Sequence, residues 1–323
     1  MARTHLEAWR YVEGGRAVAI ASRSIGKARE LASYYGVEAV EGADKVLLRE
    51  DVDAVDICTP THTHRKFVEV AAEAGKHIIL EKPIATNLED ADEIISKARR
   101  SGVKLMVAHV LRYFPEYVEA RRMVGEGELG EPLHARASRK GMFPTWAEWY
   151  GDPEKSGGVE IDLAIHDVDF LRWTLGEIES VYARLLNIRG RRVHDHALML
   201  LKFRNGAIAH VEASWAMPKT CPFTMTLEIY GSKAMVVYSN LDGVPIMVSG
   251  DESAESHSPI TLPYSASILP FPIDPYRDEL QDFVRSILKD EEPRIPPEEA
   301  RESLKVCLAA RESSERNEEV SVS

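Results

Sequence analysis

The sequence predicts an α/β protein in two parts: a parallel sheet with helices between its strands, then a mostly antiparallel sheet with helices before and after it. Three observations predict it. Over the first hundred residues, short β-rich apolar runs alternate with segments of helical spacing, the pattern of βαβ units. Beyond them, strand-like segments follow one another through tight turns. The balance of 44% apolar and 28% charged residues over 323 positions is that of a folded chain of one large or two ordinary domains.

In chain order, Ala17–Ala21 reads as a buried strand and Ser22-Arg23-Ser24 as the turn after it. Ile25, Ala28, Leu31 and Ala32 then share one face of a helix over Ile25–Tyr35, with Gly36 suited to its C-terminal cap. Val52–Cys58 is a strand ended by Thr59-Pro60, and a helix runs from His64 to Ala74. His77–Leu80 is a strand running into Glu81-Lys82-Pro83; Asn87 can cap the next helix, and Leu105–Ala108 is a further strand. Parallel sheets collect ligands at the carboxyl ends of their strands. That rule alone singles out Ser22-Arg23, Thr59-Pro60, Glu81-Lys82-Pro83 and His109. The boundary is expected near residue 110, dividing 1–110 from 111–323. In the second part Pro115–Gly125 reads as helix, Leu133–Ser138 as extended, and Asp162–Leu175 as one helical run after Gly157-Gly158. Strand-like segments occupy Ser180–Ile188, Ala197–Phe203, Ala207–Trp215, Thr224–Tyr230 and Ala234–Tyr238, with Arg204-Asn205-Gly206 as a hairpin turn. Glu279–Leu288 and Pro297–Ser313 return to helix.

Lys plus Arg number 40 against 52 Asp plus Glu, a formal net charge of −12, which argues against a nucleic-acid partner. No run approaches the ~18 apolar residues of a membrane span, and the start MARTHLEAWR has no apolar stretch of the secretory kind. Cys58, Cys221 and Cys307 stand alone, without a C-x-x-C, so they read as small buried hydrophobes of a cytoplasmic protein. The pairs His62-x-His64 and His194-x-His196 have chelating spacing but no second ligand pair, and no metal is expected. Trp146, Trp149 and Tyr150 read as core or interface, with a sugar platform as the lesser reading.

Three constellations carry chemistry. Lys82 ends a strand, where an ammonium can donate to a reacting oxygen; the bland alternative is a surface Lys beside Glu81. Asp162 and His166 lie four apart, so on a continuous helix a carboxylate would sit beside an imidazole and support it as a general base. The alternative is a structural histidine with a capping Asp. Ser22-Arg23-Ser24, with Lys27 one turn on, offers a hydroxyl and two cations and no acid where a dinucleotide's adenosine ribose would lie, favouring NADP over NAD.

Taken together, Thr59-Pro60-x-x-x-His64, the run Ala74 to Pro83 ending in Glu-Lys-Pro, and Gly157-Gly158-x-x-x-Asp162-x-x-x-His166-Asp167-x-Asp169 resemble the Gfo/Idh/MocA oxidoreductases over nearly the whole chain. Asn205-Gly206-Ala207 and Ile229-Tyr230-Gly231-Ser232-Lys233 are in the same style. The resemblance implies a Rossmann-like, doubly wound domain and a second domain whose open sheet makes a homodimer or homotetramer. It implies hydride transfer between NADP or NAD and a sugar, polyol or inositol-like molecule. His166 would take the hydroxyl proton, Asp162 would orient it, and Lys82 would stabilise the developing charge on the substrate oxygen. Thr59, Pro60, His64 and Glu81 would line the nicotinamide side, with His109 and Arg112 facing cofactor or substrate.

The family opens with a strand and a G-x-G-x-x-G/A loop. Here Met1-Ala2-Arg3-Thr4-His5 resembles the stretch after the two leading glycines, with Ala2 in the third glycine's place. The expectation is therefore a sheet with its first strand missing, a gap between the strands at Val18 and Val55, and weakened cofactor binding. An internal Met read as the start explains this, and a truncated, non-catalytic scaffold is the rival. An NAD-dependent glycoside hydrolase on the same fold is the other alternative. Ala164 replaces a glycine frequent in the family.

Overall fold

The computed structural model describes residues 1–241, 246–250, 254–257 and 274–322. The chain forms two units, Met1–Tyr113 with Pro272–Arg301, and Phe114–Phe271 with Glu302–Ser323. The described residues 274–301, placed in the second domain by the sequence division, therefore belong to the first unit.

In the first unit, α1 (Ala2–Trp9) precedes β1 (Ala19–Ser22), α2 (Ile25–Tyr35), β2 (Glu38–Glu41), α3 (Ala43–Leu47), β3 (Ala54–Ile57), α4 (His64–Glu73), β4 (His77–Glu81), α5 (Leu88–Ser101) and β5 (Leu105–Ala108). Gly36 closes α2 in the left-handed region at φ 69°, which a side chain would resist. Asn87 caps α5 by accepting from the Asp90 amide at 2.8 Å, a contact worth about 1 kcal/mol. β1 pairs with β2, and β3 with β4 and β4 with β5, all in parallel. Ile78, Ile79 and Leu80, and Met106, Val107 and Ala108, are buried without alternation, as strands covered on both faces must be.

Among the described residues the two sets of strands are not hydrogen-bonded to each other. Between Ala17–Ala21 and Val52–Cys58 lies a cavity of about 860 Å³, lined also by Leu6 and Trp9 of α1. The gap expected between Val18 and Val55 is thus present. Helix α10 (Pro275–Leu288) closes this side of the unit: Leu280, Phe283 and Val284 pack with Ala8, Val12, Ile79 and Met106.

In the second unit, α6 (Pro115–Gly125) and β6 (Pro132–Lys140) are followed by α7 (Pro153–Ser156), α8 (Gly158–Asp162) and α9 (Ile165–Leu175). Then come β7 (Ile178–Leu186), β8 (His196–Phe203), β9 (Ile208–Ser214), β10 (Thr224–Gly231), β11 (Ala234–Ser239), β12 (Ile246–Gly250), β13 (Ala254–His257) and β14 (Val320–Ser321). The long helix α11 (Pro297–Arg316) starts in the first unit and continues in the second. The nine strands run β13-β12-β11-β10-β6-β9-β8-β7-β14, antiparallel except for β6 beside β9. Period-2 burial on β8 and β10 puts Ala197, Met199 and Leu201, and Met225, Leu227 and Ile229, on the covered face. The other face leaves Leu200 and Ile208 exposed. Among the described residues no helix is long and apolar enough to cross a membrane.

One expectation is corrected. The run Asp162–Leu175 is not a single helix: α8 ends at Asp162, and α9 begins at Ile165. The amides of both Leu163 and Ala164 donate to the Val159 carbonyl, at 3.0 and 2.9 Å. The second of these is an i→i−5, π-type bond that widens the backbone between the two helices, and regular i, i+4 spacing does not carry across.

Candidate active site

In the first unit the carboxyl ends of the parallel strands present Ser22-Arg23, Thr59-Pro60, Lys82 and His109 in turn. Arg23 and Lys27 are exposed, and the Ser22 hydroxyl accepts from the Ser24 amide at 3.2 Å, ordering the turn that starts α2. Thr63 donates its hydroxyl to the Pro60 carbonyl at 2.7 Å and lies 2.9 Å from the Thr59 hydroxyl. His64, from the first turn of α4, bridges two of these loops: Nε2 is 3.0 Å from the Thr59 carbonyl and Nδ1 3.0 Å from that of Pro83. Burial lowers its pKa, so the ring is neutral and donates to one carbonyl at a time. His64 thus holds the Thr59 and Lys82 loops in register with each other.

Two other residues are turned inward. Arg112 is buried and its guanidinium pairs with Glu299 at 3.2 Å. Glu81 sits 3.2 Å from His5 Nε2, while His5 Nδ1 lies within 3.0 Å of both Asp56 oxygens. Burial opposes charge on His5, but Asp56 and Cys58 outweigh it and raise its pKa well above the ordinary value. Burial likewise pushes the Asp56 and Glu81 carboxyls up, and His5 more than offsets this, leaving both below the usual range.

In the second unit, Gly157 and Gly158 both adopt positive φ, 75° and 77°. A Cβ on Gly157 would stand 2.8 Å from that of Ile161, so the entry to α8 requires glycine for space as well as for conformation. Asp162 is buried at the end of α8, and His166, half-buried, lies in the first turn of α9. Its neighbours fix that helix on two sides. Arg139 of β6 holds Asp167 with two bonds of 3.1 and 3.0 Å, and Ser303 of α11 donates to Asp169 at 2.9 Å. Glu160, fully buried, receives the Arg311 guanidinium at 3.0 Å and lies 2.9 Å from His194 Nδ1. That pairing raises the His194 pKa against partial burial. Of the histidine pairs with chelating spacing, His64 is thus engaged by carbonyls and His194 by Glu160.

Sequence reasoning missed Arg139, Glu160 and Arg311. Ion pairs between distant positions leave no local pattern; an Arg at an inward-facing strand position was the available signal.

Along its strand ends the first unit offers a hydroxyl and a cation at Ser22-Arg23, and Thr59 and Lys82 farther on. The N-terminus of α1, at Met1-Ala2, carries no side-chain cap, and such amides are donors for an anion.

Two family models match the chain: "Oxidoreductase family, NAD-binding Rossmann fold" over residues 1–109, and "GFO/IDH/MocA C-terminal domain" over residues 117–237. The scyllo-inositol 2-dehydrogenase (NAD(+)) of Bacillus subtilis is 31% identical, over 94% of this chain and 87% of its own length. The myo-inositol 2-dehydrogenase of Thermotoga maritima is 26% identical, over 98% of this chain and 94% of its own. A levoglucosan dehydrogenase solved with NADH and L-sorbose has the same fold, with a TM-score of 0.89 at 23% identity, covering 100% of this chain and 96% of that one.

Proposed function

Because the chain belongs to the Gfo/Idh/MocA family of oxidoreductases, we propose that it transfers hydride between NAD(P) and a carbinol carbon of a sugar, polyol or inositol-like substrate. The observation that carries the reading is the strand-end array of the first unit, Ser22-Arg23, Thr59 and Lys82, in a chain whose second unit holds Asp162 and His166. Bound nicotinamide supplies the hydride acceptor or donor. In the oxidative direction His166 accepts the substrate hydroxyl proton as the hydride departs, and in the reductive direction it returns it. Asp162 orients the imidazole, as the family resemblance implies. The Lys82 ammonium donates to the substrate oxygen and stabilises the negative charge that develops there. The Arg139–Asp167 and Ser303–Asp169 contacts hold α9, and with it His166, at a set rotation.

The test is a panel of sugars, polyols and inositols with both nicotinamides, followed at the NAD(P)H absorbance. Turnover with at least one member is expected; silence across the panel, with NADPH fluorescence unaltered on mixing, would remove the reading.

We assign a preference for NADP from Arg23 and Lys27, which are exposed beside Ser22 where a 2′-phosphate would lie. Arg23→Asp is expected to weaken NADPH binding at least tenfold more than NADH binding, about 1.4 kcal/mol of discrimination. Equal losses for both nucleotides would show that Arg23 does not read the phosphate.

The reading also includes a cytoplasmic homodimer or homotetramer. It is supported by Leu200 and Ile208, 57% and 53% exposed on the uncovered face of the nine-stranded sheet. Light scattering should return two or four times the chain mass of 36.2 kDa. A monomer at micromolar concentration would contradict it.

A further inference from the structure

We propose that His5, Cys58 and Glu81 form a largely enclosed site for one zinc-like divalent cation, next in the chain to Thr59 and Lys82 of the strand-end array. One donor atom from each of the three lies within 4.8 Å of the other two, close enough to converge on a single ion. The donor set is nitrogen, sulfur and carboxylate oxygen, which suits Zn²⁺ and not Mg²⁺ or Ca²⁺. Three neighbouring elements bring them together: His5 from α1, Cys58 from the end of β3 and Glu81 from the end of β4.

The Cys58 thiol donates to Asp56 Oδ1 at 3.2 Å and lies 3.6 Å from Nδ1 of the imidazole. Its Nδ1 faces Asp56 at 2.9 and 3.0 Å, the carboxylate contact that typically orients a ligating histidine from behind. Its Nε2 is buried with no aligned hydrogen-bond partner among the described residues, although Glu81 Oε1 is 3.2 Å away. A second group points the same way. Glu279 of α10 is fully buried, neither of its carboxylate oxygens has a hydrogen-bond partner among the described residues, and it interacts electrostatically with His5, Glu81, Asp56 and Asp282. Two buried carboxyl groups, Glu81 and Glu279, and the partly buried Asp56 therefore all interact with one imidazole. Buried carboxylates are normally paired or metal-bound, and a divalent cation would pair the carboxyl groups gathered at this imidazole. Asp56 and Cys58 also line the 860 Å³ cavity, so an ion has a path inward. On binding, the Cys58 thiol and the ring Nε2 release their protons to solvent, and no oxidation occurs.

The test uses tag-free, full-length protein stripped with chelator, dialysed against ZnCl₂ and analysed for bound metal by mass spectrometry. One equivalent per chain is expected. Cys58→Ser and His5→Asn should each weaken binding by more than tenfold, and Asp56→Asn by ~10–100-fold through loss of the orienting contact. Cys221→Ser, at an exposed cysteine, should have no effect. Co²⁺ added to the unaltered protein should give a thiolate-to-metal charge-transfer band, a readout that does not depend on any variant folding. The site is refuted if stripped protein takes up no zinc, if Cys58→Ser binds like the parent chain, or if Co²⁺ gives no such band.

Discussion

His166→Ala is expected to lower kcat by ~10²–10⁴-fold, the usual contribution of a positioned general base. Binding of NAD(P)H, read by fluorescence, should be unaltered, because the nucleotide is assigned to first-unit residues. The pH–rate profile should lose the limb that His166 controls. Lys82→Ala should cost ~10²–10³-fold, since it removes one donor to a developing oxyanion. The pair of outcomes is informative. If His166→Ala retains parental turnover on every accepted substrate, the proton passes through another group. If Lys82→Ala alone is silent, the oxygen is stabilised elsewhere.

The second large effect is on stability. Arg139→Ala is expected to destabilise the second unit by ~3–5 kcal/mol, the cost of leaving one member of a buried ion pair alone. Asp167 is fully enclosed beside α9, and burial already pushes its carboxyl above the usual range against the pull of Arg139. Without the guanidinium it must protonate or draw in water. Urea denaturation followed by tryptophan fluorescence measures the shift in midpoint. The double variant Arg139→Met with Asp167→Leu should recover most of the loss, because an apolar pair of similar volume avoids desolvating two charges. A loss below ~1 kcal/mol for the single variant would mean that the pair is solvated in solution.

The parallel strands of the first unit were legible because Ile78–Leu80 and Met106–Ala108 are continuous apolar runs bounded by breakers. The hairpin at Asn205-Gly206 was legible for its turn chemistry: Gly206 has φ 90° and the Asn205 side chain accepts from the Ala207 amide. The return of α10 was not. Leu280, Phe283 and Val284 mark an apolar face, but nothing local says that Ala8, Val12 and Met106 cover it. The break at Leu163-Ala164 was hidden for a related reason, since helical spacing persists across it while the backbone bonds do not. At the site, the sequence offers residue types and does not give side-chain contacts. His64, Glu81 and Arg112 were read as facing a ligand. His64 contacts two loop carbonyls, Glu81 lies against His5, and Arg112 pairs with Glu299.

The separation of β1–β2 from β3–β4–β5 has a thermodynamic consequence for the nucleotide. A nucleotide held, as proposed, at Ser22-Arg23 and again at Thr59 and Lys82 would strap together two sets of strands that share no ladder among the described residues. Part of its contact energy then goes into ordering those sets, which lowers its apparent affinity. The same ordering returns as resistance to melting: at a hundredfold excess over Kd, ligation adds about 2.7 kcal/mol to the folded state. On that proposal the cofactor is a mortar between courses as much as a reagent.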